Sequence, residues 1–127
     1  MKKKLVVIEL TIPNASAAGT YSMKGELPKD MSRVVSVGFF EKSAGGLTAY
    51  DVSLEEFEGQ RIVDPIDRLG LVITGTYGVS VPPEQRRMSS IQFPVPQSNK
   101  KTSLIVTTAA ATTSEFKLQA VFELMAD

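Results

Sequence analysis

The densest group of side chains that could carry out chemistry is an acidic cluster made of Asp51, Glu55, Glu56 and Glu58. Paired carboxylates can bind Ca²⁺ or serve as the acid and the nucleophile of a glycosidase. The spacing here does not resemble that of an EF-hand loop. A strand whose polar face points to solvent explains the same residues, and acidic side chains at a sheet edge discourage wrong strand pairing. We therefore interpret the cluster as a solvated strand, with a cation site as the alternative.

The composition excludes most other kinds of catalytic site. The chain has no His and no Cys, which excludes a Cys-ligated zinc site, a thiol nucleophile and a Ser-His-Asp triad. The segment Asp64–Arg68 has turn chemistry, because Asp hydrogen-bonds nearby backbone and Pro65 fixes φ. The segment Gly75–Gly78 lacks the lysine of a phosphate-binding loop. We expect no enzymatic activity, no metal and no cofactor.

Basic side chains on two predicted loops are candidate interaction residues. Arg86 and Arg87 follow the Pro82-Pro83 break, and Lys100 and Lys101 lie at the end of a polar loop. Guanidinium groups bind carboxylates or phosphates, including those of a neighbouring subunit. We predict that these four residues contribute to an interface between proteins, although solvated loops have the same composition. The 14 basic and 14 acidic residues give a net charge of zero, so nucleic acid is not an expected partner.

These residues are positioned by a chain rich in Val, Ile and Thr, which favour the pleated surface of a sheet. Short runs of them alternate with Gly, Pro, Asn or Ser at intervals of about a dozen residues. The pattern predicts an all-β fold, an antiparallel β-sandwich with the topology of a jelly roll of about eight strands. A parallel sheet would need helical crossovers, and none is visible. The predicted strands are residues 4–12, 20–24, 32–41, 47–57, 69–77, 88–93, 101–108 and 116–125.

The last strand has the clearest pattern. Its apolar residues recur at every second position, with Lys117, Gln119 and Glu123 between them. A period of two over ten residues indicates a half-buried strand, because a helix would scatter the same positions around its circumference. The face predicted to enter the core consists of Phe116, Leu118, Ala120, Phe122 and Leu124.

The middle of the chain allows two local structures. The Gly45-Gly46 turn between strands 32–41 and 47–57 predicts a β-hairpin. Ser53 and Glu56 have the spacing of a capping box, so a single helical turn at that point is the alternative to a continuous strand.

Two segments, residues 14–20 and 107–114, consist almost entirely of small side chains. Side chains this short cannot provide specificity to an enzyme. They permit close approach of another surface, although flexible surface loops have the same composition.

The N-terminus resembles a secretory signal, with Lys2–Lys4 followed by Leu5–Ile8. Glu9 and Pro13 interrupt the apolar run too early for such a signal, so we predict a first strand preceded by a solvated lysine arm. No segment approaches the ~20 apolar residues of a membrane span. The length suits one domain, and residues 1–127 are taken as a single β-sandwich domain.

Over residues 1–127, the pattern resembles the small single jelly-roll or β-sandwich proteins of bacteriophage virions, such as capsid vertex (penton) and decoration subunits. The resemblance consists of short Val/Thr-rich strands, small-residue loops, no Cys and no catalytic set, and it carries no specific motif. It implies a non-enzymatic building block, made in the host cytoplasm and located in the virion. Such a subunit is expected to be a homo-oligomer that also binds a neighbouring coat protein, through strand edges and loops that include residues 88–93.

A ligand-binding β-sandwich module, for example one that recognises carbohydrate, is the alternative function. Sugar sites usually present aromatic platforms. This chain has no Trp, and its only tyrosines are Tyr21, Tyr50 and Tyr77.

Overall fold

The fold is all-β throughout the residues that the structure, a computed structural model, describes. These residues are 2–57, 60–67, 72–73, 91–96 and 100–126. The β-branched runs form strands, and the Pro-, Gly- and Ser-containing segments connect them. The strands are β1 (Lys2–Ile12), β2 (Gly19–Gly25), β3 (Arg33–Ala44), β4 (Tyr50–Phe57), β5 (Gln60–Asp67), β6 (Val72–Ile73), β7 (Phe93–Pro94), β8 (Thr102–Thr108) and β9 (Phe116–Ala126).

The strands form two sheets that pack face to face as a sandwich. The first sheet has the order β1-β9-β3-β6, with β7 also paired to β3. The second sheet has the order β2-β8-β4-β5. All pairs are antiparallel except the two-residue contact between β3 and β6.

The pairing follows the topology of a jelly roll, as the sequence predicted. The chain behaves as one long hairpin whose two arms pair in nested order: β1 with β9, β2 with β8, β3 with β7, and β4 with β5. Rolling this hairpin brings β9 against β3 in the first sheet and β8 against β4 in the second. Strands that are far apart in sequence therefore lie side by side.

The core lies between the two sheets, and β9 confirms the predicted alternation. Its odd and even positions alternate strictly between buried and half-buried. Phe122 contacts Phe93 edge-to-face with the ring centroids 6.5 Å apart. From the second sheet, the facing core residues include Val52, Leu54, Leu104 and Val106, each fully buried.

The predicted hairpin between the third and fourth strands is wrong. β3 belongs to the first sheet and β4 to the second, so the Gly45-Gly46 connection crosses between sheets. Both glycines have positive φ, +61° and +79°, which suits a sharp change of direction. The Gly45 carbonyl accepts a hydrogen bond from the Thr113 N–H at 2.9 Å. Pairing with β8 and β5 on its two sides leaves β4 no edge for β3.

One further local prediction is confirmed and one is wrong. Ser53 and Glu56 lie within strand β4, which confirms the predicted strand over the alternative helical turn, because Leu54 is held in the core opposite Leu104. Asp64–Asp67 continue strand β5 instead of forming a turn. The register shifts between the pairs Val52↔Ile66 and Leu54↔Val63, so Pro65 sits at an irregularity in an outer strand, where proline is tolerated.

The predicted strands 69–77 and 88–93 are described only in part. Val72–Ile73 and Phe93–Pro94 are strands, and the remainder of both predictions lies outside the described residues. Phe93 is buried, so it belongs to the core and not to the predicted contact surface.

We expect Phe122→Asp to unfold the domain. Loss of a buried Phe side chain costs about 3–5 kcal/mol, and burial of an unpaired carboxylate adds further cost, which together approach the whole stability of a small domain. Urea denaturation followed by circular dichroism measures this. The control is Glu123→Gln, on the outward side of the same strand, which should change stability by less than about 0.5 kcal/mol. A cooperative transition of Phe122→Asp near the wild-type midpoint would contradict the core assignment.

We also expect Gly45→Ala to destabilise the fold by about 2 kcal/mol or more, because an L-residue is strained at this φ. Its Cβ would lie 2.8 Å from the Phe116 Cβ and 3.1 Å from the Ser114 carbonyl oxygen. Gly19→Ala is the matched control, since a Cβ there meets nothing within 4 Å. Thermal melts of both variants provide the comparison. Equal melting temperatures would show that the crossing connection is not under this constraint.

Candidate interaction surfaces

The two small-residue segments of the sequence meet each other at one end of the sandwich. The Ala15 N–H donates to the Thr112 carbonyl at 3.1 Å, and the Thr112 N–H donates to the Ser16 carbonyl at 2.9 Å. The Gly45-Gly46 connection joins them through Thr113. We call these three connections the loop cluster. The close approach that small side chains allow is thus realised within the chain.

Thr112 holds the loop cluster together through its side chain. Its hydroxyl accepts a hydrogen bond from the Ser16 N–H at 2.9 Å and donates to the Pro13 carbonyl at 2.8 Å. The residue is only 3% exposed. Backbone polar groups that leave a sheet need such partners when water is excluded. The loop cluster is therefore a built corner of the fold.

A buried polar pair lies beside this corner. The Tyr50 hydroxyl donates a hydrogen bond to Glu41 Oε2, and the two residues are 3% and 2% exposed. The Tyr50 ring meets Phe116 edge-to-face with centroids 4.9 Å apart. Burial of a carboxylate requires hydrogen-bond partners, and Tyr50 is one of them. Tyr50 thus has a structural role and offers no exposed ring.

The predicted basic residues are only partly placed by the structure. Lys100 and Lys101 lie directly before β8, and both are exposed. Arg86 and Arg87 lie outside the described residues. The contribution of these four basic residues to an interface between proteins therefore stays a prediction.

The acidic cluster is spread along a strand. Asp51 and Glu55 are four residues apart on β4, a separation of about 13 Å along an extended chain. Glu55 faces Arg61 of β5 with 3.9 Å between the carboxylate oxygen and Nε, and Glu58 lies outside the described residues. Within the described part of the chain, no three His, Cys, Asp or Glu side chains are grouped so that they could hold a metal ion.

The outer face of the first sheet carries exposed apolar side chains that sequence analysis did not single out. Leu5 is 65% exposed and Val7 is 50% exposed. In the β1–β9 register Leu5 lies opposite Glu123 and Val7 lies opposite Val121. The sequence does contain a signal for this surface. Side-chain alternation places Leu5 and Val7 on the same face of β1 as Glu9, and the core residue Ile8 on the other face.

A polar network borders these apolar residues. The Gln119 side-chain amide donates to Glu9 Oε2 at 2.9 Å, and Lys42 Nζ lies 3.6 Å from the same oxygen. The hydrogen bond from Gln119, followed by the charges of Lys42 and Lys117, lowers the pKa of Glu9 against the opposing effect of burial. Glu9 is thus a fixed negative charge on this face at neutral pH.

Lysines continue strand β1 on the N-terminal side of Leu5. Lys2–Lys4 are part of strand β1, with Lys3 opposite Met125 and Lys4 opposite Leu124, so the first strand begins two residues before the predicted start at residue 4. Lys3 and Lys4 are exposed, as a solvated segment would be. Lys3, Lys4, Leu5 and Glu123 line a shallow depression. In the described part of the chain there is no helix of the length and apolarity needed to cross a membrane.

Comparisons with known proteins place the chain in no family. No family model matches the sequence, and no curated protein matches it significantly. Among solved structures, the chain is similar to one from the virus-like particle of extra small virus of the giant freshwater prawn Macrobrachium rosenbergii. The identity is 16%, the match covers 99% of this chain and 80% of that chain, and the TM-score is 0.32. A TM-score this low does not establish a common fold.

Proposed function

We propose that this protein is a non-enzymatic structural subunit that acts through contacts between proteins, as a minor capsid component of a virus particle such as a vertex or decoration subunit. Its partners under this proposal are further copies of itself and a neighbouring structural protein. Jelly rolls are used both by viral capsid proteins and by lectins, so the fold alone leaves two classes open. The choice between them depends on the surface.

The observation that carries the proposal is the pair of exposed apolar residues on β1. Leu5 and Val7 are 65% and 50% exposed on an outer strand of the first sheet. Exposed apolar side chains at a sheet edge invite pairing with another chain. They suit a subunit that is covered by a neighbour in its working state.

The described tyrosines support the assembly function over a carbohydrate-binding one. Tyr50 is buried in the core and bonded to Glu41. Tyr21 is half-buried, and its hydroxyl donates to the Ala17 carbonyl. Tyr77 lies outside the described residues. Neither described ring therefore presents the open aromatic platform against which a sugar would stack.

The arrangement of the acidic side chains supports a non-enzymatic role. Glu41 is sealed in the core with Tyr50, Glu9 is engaged by Gln119, and Glu55 faces Arg61. A glycosidase needs two carboxyl groups about 5–10 Å apart across an accessible cleft. The engaged acids serve packing and surface charge in this fold.

Sedimentation velocity over a wide concentration range, together with thermal melts in a panel of sugars, tests the proposal. We expect discrete oligomers whose population rises with concentration and no effect of any sugar on the melting temperature. A persistent monomer that a sugar stabilises would favour the carbohydrate-binding alternative and refute the assembly function. Banding with virus particles in a density gradient of source lysate tests the virion location.

We further expect Arg86→Glu combined with Arg87→Glu, or Lys100→Glu combined with Lys101→Glu, to leave the domain folded but impair assembly, because these residues are predicted to meet acidic groups of a neighbour. Matched variants that keep the charge, Arg86→Lys with Arg87→Lys and Lys100→Arg with Lys101→Arg, should assemble more nearly as the wild type does. Melting curves verify folding, and sedimentation measures assembly. Full assembly of a reversed-charge variant would remove that pair from the interface.

A further inference from the structure

We propose that two copies of this chain associate by antiparallel pairing of their β1 strands, about a twofold axis that passes next to Val6. The inference rests on the proposed assembly function and specifies its first contact. The pairing of the two β1 strands makes the first sheet continuous across the two copies.

Strand β1 has an available edge. It is 11 residues long and, among the residues that the structure describes, it pairs only with β9. A long outer strand without proline presents backbone N–H and C=O groups to any strand that approaches it. A second copy of β1 is a partner of the same length and shape.

The two faces of β1 differ in chemistry. Ile8, Leu10 and Ile12 point into the core and are at most 5% exposed. Lys3, Leu5, Val7 and Glu9 lie on the outer face, where Leu5 and Val7 are the exposed apolar residues. Along this face the order is basic, apolar, apolar, acidic. Such an order is complementary to itself when it is reversed.

This order of side chains fixes the register of the pair. Residues directly opposite each other in an antiparallel pair lie on the same face, so the twofold axis must pass next to a residue and not between two residues. With the axis at Val6, Lys3 lies opposite Glu9 of the second copy and Leu5 lies opposite its Val7. Each of these contacts occurs twice by symmetry.

The neighbouring registers lack this complementarity. With the axis at Leu5, Lys3 lies opposite Val7 of the second copy. With the axis at Val7, Leu5 lies opposite Glu9 of the second copy, and Lys3 lies opposite Thr11. Both registers place a charge against an apolar side chain. On the outer face, the Val6 register alone among the three matches charge with charge and apolar with apolar.

The charges on this face are suited to the role. Glu9 is held ionised by Gln119 and Lys42, and Lys3 is exposed at the other end of the apolar pair. Lysines on an edge strand usually prevent pairing. On the outer face of β1, Lys3 disfavours the registers that do not bring Glu9 opposite it. Such charge pairs add specificity more than affinity, and the apolar contact supplies the attraction.

A charge-reversal experiment tests the contact. Lys3→Glu and Glu9→Lys should each weaken self-association at least about tenfold, because each creates two like-charge contacts per dimer. Mixing the two variants should restore association, since their dimer contains two Glu–Lys contacts. Sedimentation equilibrium of each variant and of the mixture measures this. Because Glu9→Lys places a third lysine near Lys42 and Lys117, Glu9→Gln is tested in parallel and should give a smaller loss.

The matched controls reverse charges in the other sheet, on strands β4 and β5. Asp51→Lys and Arg61→Glu change the same formal charges at exposed sites, and they should leave the β1 contact unchanged. If the controls weaken association as much as the β1 variants, net charge and not the β1 register is responsible. If the mixture of Lys3→Glu with Glu9→Lys shows no recovery, the proposed pairing is wrong.

Cysteine cross-linking tests the register independently, because the wild-type chain has no Cys. Opposite residues have Cβ atoms about 5 Å apart, whereas diagonal neighbours are about 7–8 Å apart, which is too far for a disulfide. Leu5→Cys mixed with Val7→Cys should therefore form a disulfide-linked dimer on mild oxidation, and each variant alone should cross-link far less.

The outcomes separate the two proposals. Oligomers of the wild type that give no preferential cross-link in the mixture would overturn the β1 contact while leaving the assembly function intact. Efficient cross-linking of Leu5→Cys alone would instead indicate the register with the axis at Leu5. If the wild type shows no oligomer at any concentration, both proposals fail together.

Discussion

The fold depends on the burial of one face of strand β9. This strand lies between β1 and β3 in the first sheet, so Phe122 has Val6 on one side and Val37 on the other. Each fully buried large side chain contributes about 1.5–3 kcal/mol, and β9 supplies Phe116, Leu118, Phe122 and Leu124. A shift of one residue in register would turn all of these toward solvent. The core therefore fixes the register of three strands at once.

The loop cluster stabilises the sharp turn that the jelly-roll topology requires between the two sheets. Strands β3 and β4 follow each other in sequence but lie in different sheets, so the chain must turn sharply between them. Gly45 and Gly46 provide the positive φ angles for that turn, and Thr112 satisfies backbone groups that the corner would otherwise leave without partners. Small side chains at this end are consequently a requirement of the fold.

The outer face of the first sheet combines an apolar centre with fixed charges. The same alternation that buries Ile8 exposes Leu5 and Val7, and the Gln119 hydrogen bond keeps Glu9 charged beside them. Under the proposed function, the contact surface is therefore the outer face of β1, and the inner face of the same strand contributes to the core. A surface of this kind is suited to pairing with a neighbour along the strand.

Side-chain alternation is a local property that a period of two reveals, and it was enough to predict the all-β class, the two-sheet sandwich and the inward face of β9. It could not predict that Gly45-Gly46 crosses between sheets, that residues 64–67 continue a strand, or that the small-residue loops meet each other. These features depend on which distant strands become neighbours, and pairings such as β1 with β9 join residues more than a hundred positions apart. Local propensity contains no information on such contacts, because their free energy comes from burial that exists only once both sheets are in place.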